Sequence, residues 1–346
     1  MTDSTAPKPS KLASFFKYLG LSVLFCAILW GMLVGLGHIL QPKGNSKDDG
    51  LIESRAYGFL AEPDDSLDAV FLGDSLASTG FSPMRIWGDT GVTSFVCSVN
   101  GEQVSYAYTM LRDVFKTQKP KVVFLETEML YNPFDIGKVF KQFVKDQFTV
   151  AEYHHRWKEL TLEDFTGQVK YDKVSNLKGC NPKALCEPAD TSSYMLPSDE
   201  VTLPGKLNMA FLRALVDLCE KNGTQFVLVA TPHTRDWDYA HHNGCVQIAQ
   251  DLGIDFIDMN TEPIASEVGI DWAQDARDAG IHLNYRGMNK VSDWMASYLS
   301  ETLGLPDHRG DSAYARWDEC LAEYKSYMAK VAKDPEKYDI PGVHMY

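Results

Sequence analysis

Between Tyr18 and Leu40 the chain carries 23 residues without a formally charged side chain, rich in Leu, Val, Ile, Phe and Gly. Such a run must be buried, either in a protein core or in lipid. As a helix it rises about 35 Å, enough to cross a hydrocarbon layer of about 30 Å. Polar segments flank it on both sides, which argues against a core helix. A cleaved signal peptide would have an apolar region of about 7–15 residues and a small-residue cleavage site. Here the run ends Gly-His-Ile-Leu-Gln-Pro. The sequence therefore predicts an uncleaved transmembrane anchor over 18–40 in the cell membrane. Lys8, Lys11 and Lys17 precede it, so residues 1–17 are expected on the cytoplasmic side and the rest of the chain outside. Residues 41–60 begin with the polar, breaker-rich Gln41–Gly50 and read as a linker.

Beyond the linker, short apolar runs alternate with helical patterns. Asp68–Leu72, Val92–Val96, Lys121–Leu125, Gln225–Ala230 and Asp255–Asp258 read as strands. Val104–Thr117, Leu207–Lys221, Asp238–Leu252 and Gly287–Leu303 read as helices. That alternation predicts an α/β fold, a three-layer sandwich around a parallel five-stranded sheet, with right-handed crossovers. Residues 61–304 form this domain. Within it, 132–205 is aromatic, charged and irregular, and reads as an insertion. Residues 305–346 are a helical appendage in which Trp317, Leu321, Tyr324 and Met328 share one face. Such a stripe packs against the domain or docks to a membrane partner, and packing is favoured.

A formal net charge of −14 excludes nucleic acid as the expected partner, because phosphates repel such a surface. An oxidising compartment gives the seven cysteines a second meaning. Cys180 and Cys186 lie in one loop and are candidates for a small disulfide; Cys97, Cys219 and Cys245 read as buried apolar residues. No spacing suggests a zinc site, and no metal or cofactor is expected.

The first strand stops at Gly73-Asp74-Ser75, which places a hydroxyl at a strand's carboxyl end, where crevices form in open α/β sheets. Asp278 and His282 appear two hundred residues later in Asp-Ala-Gly-Ile-His-Leu-Asn, ahead of a helix. A neutral hydroxyl needs a base to become a nucleophile. Histidine suits that task near neutral pH, and a carboxylate on its far nitrogen fixes the tautomer. Ser75's own N–H, at a strand-to-helix turn, is a candidate oxyanion donor.

Phe-Leu-Gly-Asp-Ser-Leu together with Asp-Ala-Gly-Ile-His-Leu-Asn-Tyr-Arg-Gly-Met-Asn-Lys resembles the SGNH/GDSL hydrolase superfamily, and more closely its membrane-anchored, DltD-like branch. The resemblance covers roughly Asp68 to Leu303. It implies a flavodoxin-like sheet and acyl transfer or hydrolysis, with Ser75 as nucleophile, His282 as base and Asp278 as orienting acid. Relatives place the acid three residues before the histidine, whereas here the spacing is four, so Asp275 is a rival and Asp271 a distant third. Asn100-Gly101 matches the second glycine block and makes the Gly101 N–H a second oxyanion candidate. The Gly-x-Asn-Asp block expected after the third strand is replaced by Leu125-Glu126-Thr127-Glu128-Met129. Glu126, and His233 at the end of the fourth strand, are candidates to line the substrate site. The resemblance further implies a cell-envelope polysaccharide or teichoic-acid-like acceptor and a multipass membrane O-acyltransferase as partner. A non-catalytic envelope module on the same scaffold is the alternative.

Overall fold

The computed structural model describes residues 10–338. Lys8 and the rest of 1–9, and the last residues of the appendage, 339–346, lie outside the described residues. In chain order the elements are α1 (Lys11–Leu40), β1 (Ala69–Gly73), α2 (Ser75–Gly80), α3 (Pro83–Thr90), β2 (Ser94–Ser98), α4 (Val104–Val114) and β3 (Val122–Glu126). The middle of the chain supplies α5 (Ile136–Gln147), α6 (Thr149–Tyr153), α7 (Leu162–Thr166), α8 (Lys206–Asn222) and β4 (Gln225–Ala230). Then follow α9 (Tyr239–Leu252), β5 (Asp255–Asp258), α10 (Ile264–Val268), β6 (Ala276–Arg277), β7 (His282–Leu283), α11 (Tyr285–Ser297) and α12 (Ala315–Lys333).

These elements form two compact units. The smaller comprises residues 1–43 and 137–169; the larger comprises 44–136 and 170–346. The irregular stretch 132–205 thus divides, its first helices grouping with α1 and the remainder with the sheet. In the smaller unit α1 is a single helix, long and apolar enough to cross a membrane, with mean hydropathy 2.3 in its most apolar window. Its last turn packs on α6, where Gly37 lies against Thr149 and Val150. Arg156 donates to the carbonyl of Leu40 at 2.7 Å and to Asp164 at 2.8 Å. A helix leaves its final carbonyls without intrahelical donors, so this guanidinium caps α1 with the favourable charge.

The larger unit is a five-stranded parallel sheet in the order β2-β1-β3-β4-β5. That is the flavodoxin-like order, with a topological switch between β1 and β3. Side chains alternate along each strand. Val70 and Leu72 point with Val123, Leu125 and Leu228 toward α4 and α8, whereas Ala69 and Phe71 point with Phe124 and Val229 toward α2 and α11. Both faces are covered, which explains why the strands read as unbroken apolar runs. On the second face Phe71 stacks between Phe81 at 4.2 Å and Phe124 at 5.1 Å.

The appendage packs against this unit through α12. Trp317 meets Trp87 of α3 at 5.3 Å between centroids, and Ser82 bonds the Tyr324 hydroxyl at 2.9 Å. The ammonium of Lys178 sits 4.3 Å over the Trp317 ring and pairs with Glu62 at 2.6 Å, both charges being buried. Trp317 and Tyr324 are buried, and Leu321 and Met328 pack beside them.

The Cys180–Cys186 disulfide is not formed: both thiols are free. The segment between them runs without a turn. Asn181 N–H reaches Ser78 O at 2.7 Å, and six residues on, Glu187 N–H reaches Ala276 O at 3.0 Å. One thiol is turned into the interior and the other out to the surface, so the two do not meet. Cys180 is in the core, where burial pushes its thiol up to about 12, and Cys186 lies exposed against Ala273 O.

Candidate active site

Strand β1 ends in Gly73, whose φ of +158° begins a sharp exit from the sheet. A Cβ there would stand 2.6 Å from the Ala77 side chain and 2.8 Å from that of Glu126, so only glycine lets β1, α2 and β3 converge this closely. Asp74 caps α2, its carboxylate accepting from Leu76 N–H at 3.0 Å. Ser75 is therefore the first residue of α2, with its hydroxyl at the carboxyl end of β1. Asn181 N–H, bonded to Ser78 O, holds α2 from the other side.

His282 comes from a two-stranded antiparallel hairpin in which Arg277 of β6 pairs with His282 of β7. The turn between them contains three consecutive residues at positive φ: Asp278 at +56°, Ala279 at +54° and Gly280 at +94°. The first two occupy a region that residues with side chains rarely adopt. At Gly280 a Cβ would fall 2.1 Å from Thr234 Oγ1, and Gly280 O accepts from Thr234 N–H at 2.9 Å. The turn is thereby tied to the loop after β4. Behind it, Asn284 caps α11 through Arg286 N–H at 2.9 Å and donates to Gln274 O at 2.7 Å.

Folding brings the three predicted residues into one line. His282 Nε2 lies 2.9 Å from Ser75 Oγ, and His282 Nδ1 lies 3.0 Å from Asp278 Oδ2. The other Asp278 oxygen pairs with Arg277 Nη1 at 2.9 Å, and Arg277 also pairs with Glu187. The longer Asp-to-His spacing is absorbed by the left-handed turn. Asp275 is committed elsewhere: its carboxylate accepts from Lys290 at 2.6 Å and from Asp271 N–H at 2.8 Å. Asp278 is the aspartate on the imidazole.

Glu126 and His233, candidates to line the substrate site, both lie in the interior. Glu126 is fully buried and accepts from Glu128 N–H at 2.9 Å, Thr231 N–H at 3.3 Å and Thr231 Oγ1 at 3.2 Å. Burial, then the charge of Asp74, drives its carboxyl well above the usual range. His233 is 1% exposed. Its Nδ1 is 2.8 Å from Thr231 O; a carbonyl only accepts, so Nδ1 carries the hydrogen and Nε2 a lone pair. Burial lowers the ring to about 4. That lone pair has no hydrogen bond, and Glu128 Oε2 stands 3.7 Å from it. Glu128 is pushed up to about 8, mainly by burial and then by Asp74. Burial thus favours the neutral form of this carboxyl, which stands at the place where the resemblance leads one to expect an asparagine.

Asn132 escaped the sequence reading. Its side chain bonds that of Asp74, whose carboxyl burial raises against the pull of Leu76 N–H, His282 and Asn132. Asn208 holds its loop, donating to Leu130 O at 2.7 Å and Asn132 O at 2.9 Å. The signal was present: a short 3-10 turn, Glu128–Leu130, carries an asparagine back toward the nucleophile four residues later than expected. Gly101 stands three residues past β2 at φ +67°, and Val99 N–H to Gly73 O at 3.3 Å ties that exit to β1. Close by, a cavity of about 470 Å³ is lined by Leu51, Ser54, Arg55, Val99 and Asn100.

No family model and no curated protein sequence matches the chain. Among solved structures it is similar to the psychrotrophic esterase EstA from Pseudoalteromonas sp., with 12% identity over 68% of this chain and 99% of the esterase, at a TM-score of 0.35. It is also similar to a GDSL-like lipase from Bacteroides thetaiotaomicron, with 11% identity over 68% of this chain and 87% of the lipase, at a TM-score of 0.33.

Proposed function

We propose that this protein is an SGNH-type serine esterase or O-acyltransferase, acting through an acyl-serine intermediate. The observation that carries the reading is the continuous relay Ser75 Oγ, His282 Nε2, His282 Nδ1, Asp278 Oδ2, with links of 2.9 and 3.0 Å. As the Ser75 oxygen attacks an ester carbonyl, its proton passes to Nε2, while Nδ1–H stays directed at Asp278. The tetrahedral oxyanion forms beside the start of α2, where Ser75 N–H is a donor and Gly101 N–H and the Asn132 side chain are the proposed others. Collapse breaks the carbon–oxygen bond, and the leaving alkoxide takes the Nε2 proton. A second hydroxyl, from water or from an acceptor, then gives its proton to Nε2 and attacks the acyl-serine. Ser75 leaves with that proton, and the product is a free acid or a new ester.

Location and substrate extend the same proposal. The length and apolarity of α1, with Lys11 and Lys17 at its start, support a single-pass anchor whose N-terminus is cytoplasmic. The DltD-like motifs support an envelope polysaccharide or teichoic-acid-like acceptor and a multipass O-acyltransferase as acyl supplier. The test is turnover of p-nitrophenyl acetate by full-length protein in detergent. A burst equal to the enzyme concentration, absent in Ser75→Ala, is the expected result. Turnover that survives Ser75→Ala overturns the mechanism, and inert wild-type protein favours the non-catalytic module. Added polysaccharide that captures the acyl group faster than water does identifies a transferase.

A further inference from the structure

Helix α5 is amphipathic, yet none of the described residues buries its apolar face. Ile136, Val139, Phe140, Phe143 and Val144 recur at helical spacing and define one face, whereas Lys138, Lys141 and Lys145 fall on the opposite one. None of its residues is buried, and Ile136, Phe140 and Phe143 are 74%, 67% and 58% exposed. Further along the same insertion, Trp157, Leu162 and Phe165 are also exposed. Four large aromatics and two aliphatics on one insertion are a large apolar surface for water to bear.

We propose that this insertion is a membrane-surface element, with the apolar face of α5 and the side chains of Trp157, Leu162 and Phe165 seated among lipid acyl chains at the level where α1 leaves the bilayer. The inference rests on reading α1 as a membrane anchor. Its occupant is argued from continuity. The apolar run of α1 ends at Leu40, and there the insertion is attached, with Thr149 and Val150 against Gly37 and Arg156 on the Leu40 carbonyl. Helix α5 ends at Gln147, two residues before Thr149, so its end is held within about one turn of that level. A helix with an apolar stripe backed by lysines, tethered at the headgroup layer, has the composition of an interfacial helix. Tryptophan beside it belongs in the same layer, and lysines on the polar face suit a helix lying in the headgroup region.

The test uses the full-length protein in vesicles of phosphatidylcholine and phosphatidylglycerol that contain a diazirine-acyl phosphatidylcholine, with adducts mapped by mass spectrometry after illumination. Lipid adducts are expected on α1, on Phe140 and Phe143, and within 157–165. In Phe140→Ser/Phe143→Ser the yield over 136–165 is expected to fall about tenfold while that on α1 is unchanged. Both substituted residues are exposed, so esterase turnover serves as the folding control. Adducts on α1 with none over 136–165 overturn the proposal and leave the anchor standing; absence from α1 as well overturns the anchor with it. Adducts over 136–165 in vesicles but not in native membranes assign the face to a protein and equally overturn lipid as its occupant.

Discussion

Replacing Asp278 by Asn separates an aspartate that fixes a tautomer from one that merely lies near a histidine. One Asp278 oxygen faces His282 Nδ1 at 3.0 Å, and the other faces Arg277 Nη1 at 2.9 Å. A guanidinium only donates. The amide must therefore turn its carbonyl toward Arg277, which leaves its NH2 against Nδ1. That NH2 needs an acceptor, so the imidazole hydrogen moves to Nε2, and the ring can no longer take the Ser75 proton. Where a triad acid becomes an amide with geometry kept, the rate falls about 10⁴-fold. The Asp278 side chain is 38% exposed, and water offsets part of the loss, so about 10³-fold, or about 4 kcal/mol of activation free energy, is expected. The readout is the burst rate of p-nitrophenyl acetate acylation. Arg277→Leu added to Asp278→Asn lets the amide turn round, and about tenfold of the rate should return. A single Asp278→Asn variant within about threefold of wild type refutes the reasoning, because fixing the tautomer would then be worth under 1 kcal/mol.

Three further outcomes follow from other parts of the larger unit. Gly280→Ala puts a methyl 2.1 Å from Thr234 Oγ1 at φ +94°, so acylation should slow by at least about 100-fold through displacement of His282, with far-ultraviolet circular dichroism unchanged. Glu128 has a raised carboxyl, so its contribution to folding is full below the ordinary carboxylate range and is lost as pH rises toward about 8. Glu128→Gln should therefore match wild type near pH 4.5 and exceed it in thermal unfolding by up to about 3 kcal/mol at pH 7, a gap absent if the acid is ionised in the fold. Trp317→Ala empties the space between Trp87 and Lys178 and should cost about 3–5 kcal/mol of stability, measured by denaturant midpoint.

The sheet was legible because its strands are apolar runs buried on both faces, β5 only over its second half. Gln225–Ala230 and Asp255–Asp258 are found with the expected bounds, and β2 begins two residues later than read, at Ser94. Ser75, His282 and Asp278 were legible because a strand-end hydroxyl and a histidine ahead of a helix leave a pattern in the chain. The choice between Asp278 and Asp275 was not, since it depends on a left-handed turn and on Lys290 taking the rival carboxylate. Helices α2 and α3 are too short, at six and eight residues, to declare a period. Glu126 and His233 were placed on the correct sheet edge, but whether a side chain at that edge faces a ligand or the interior depends on the loops that cover it. The disulfide failed for a similar reason: proximity in sequence does not say that Cys180 turns into the interior and Cys186 out of it.

The central claim is that Ser75 is a nucleophile activated by His282, and covalent trapping tests it most directly. Full-length protein in detergent is treated with a fluorophosphonate, digested, and its peptides sequenced by mass spectrometry. One phosphonyl group is expected, on Ser75, lost in Ser75→Ala and formed at least about 100-fold more slowly in His282→Ala. Wild-type protein that takes up no phosphonate, or takes it up equally well without His282, would contradict it.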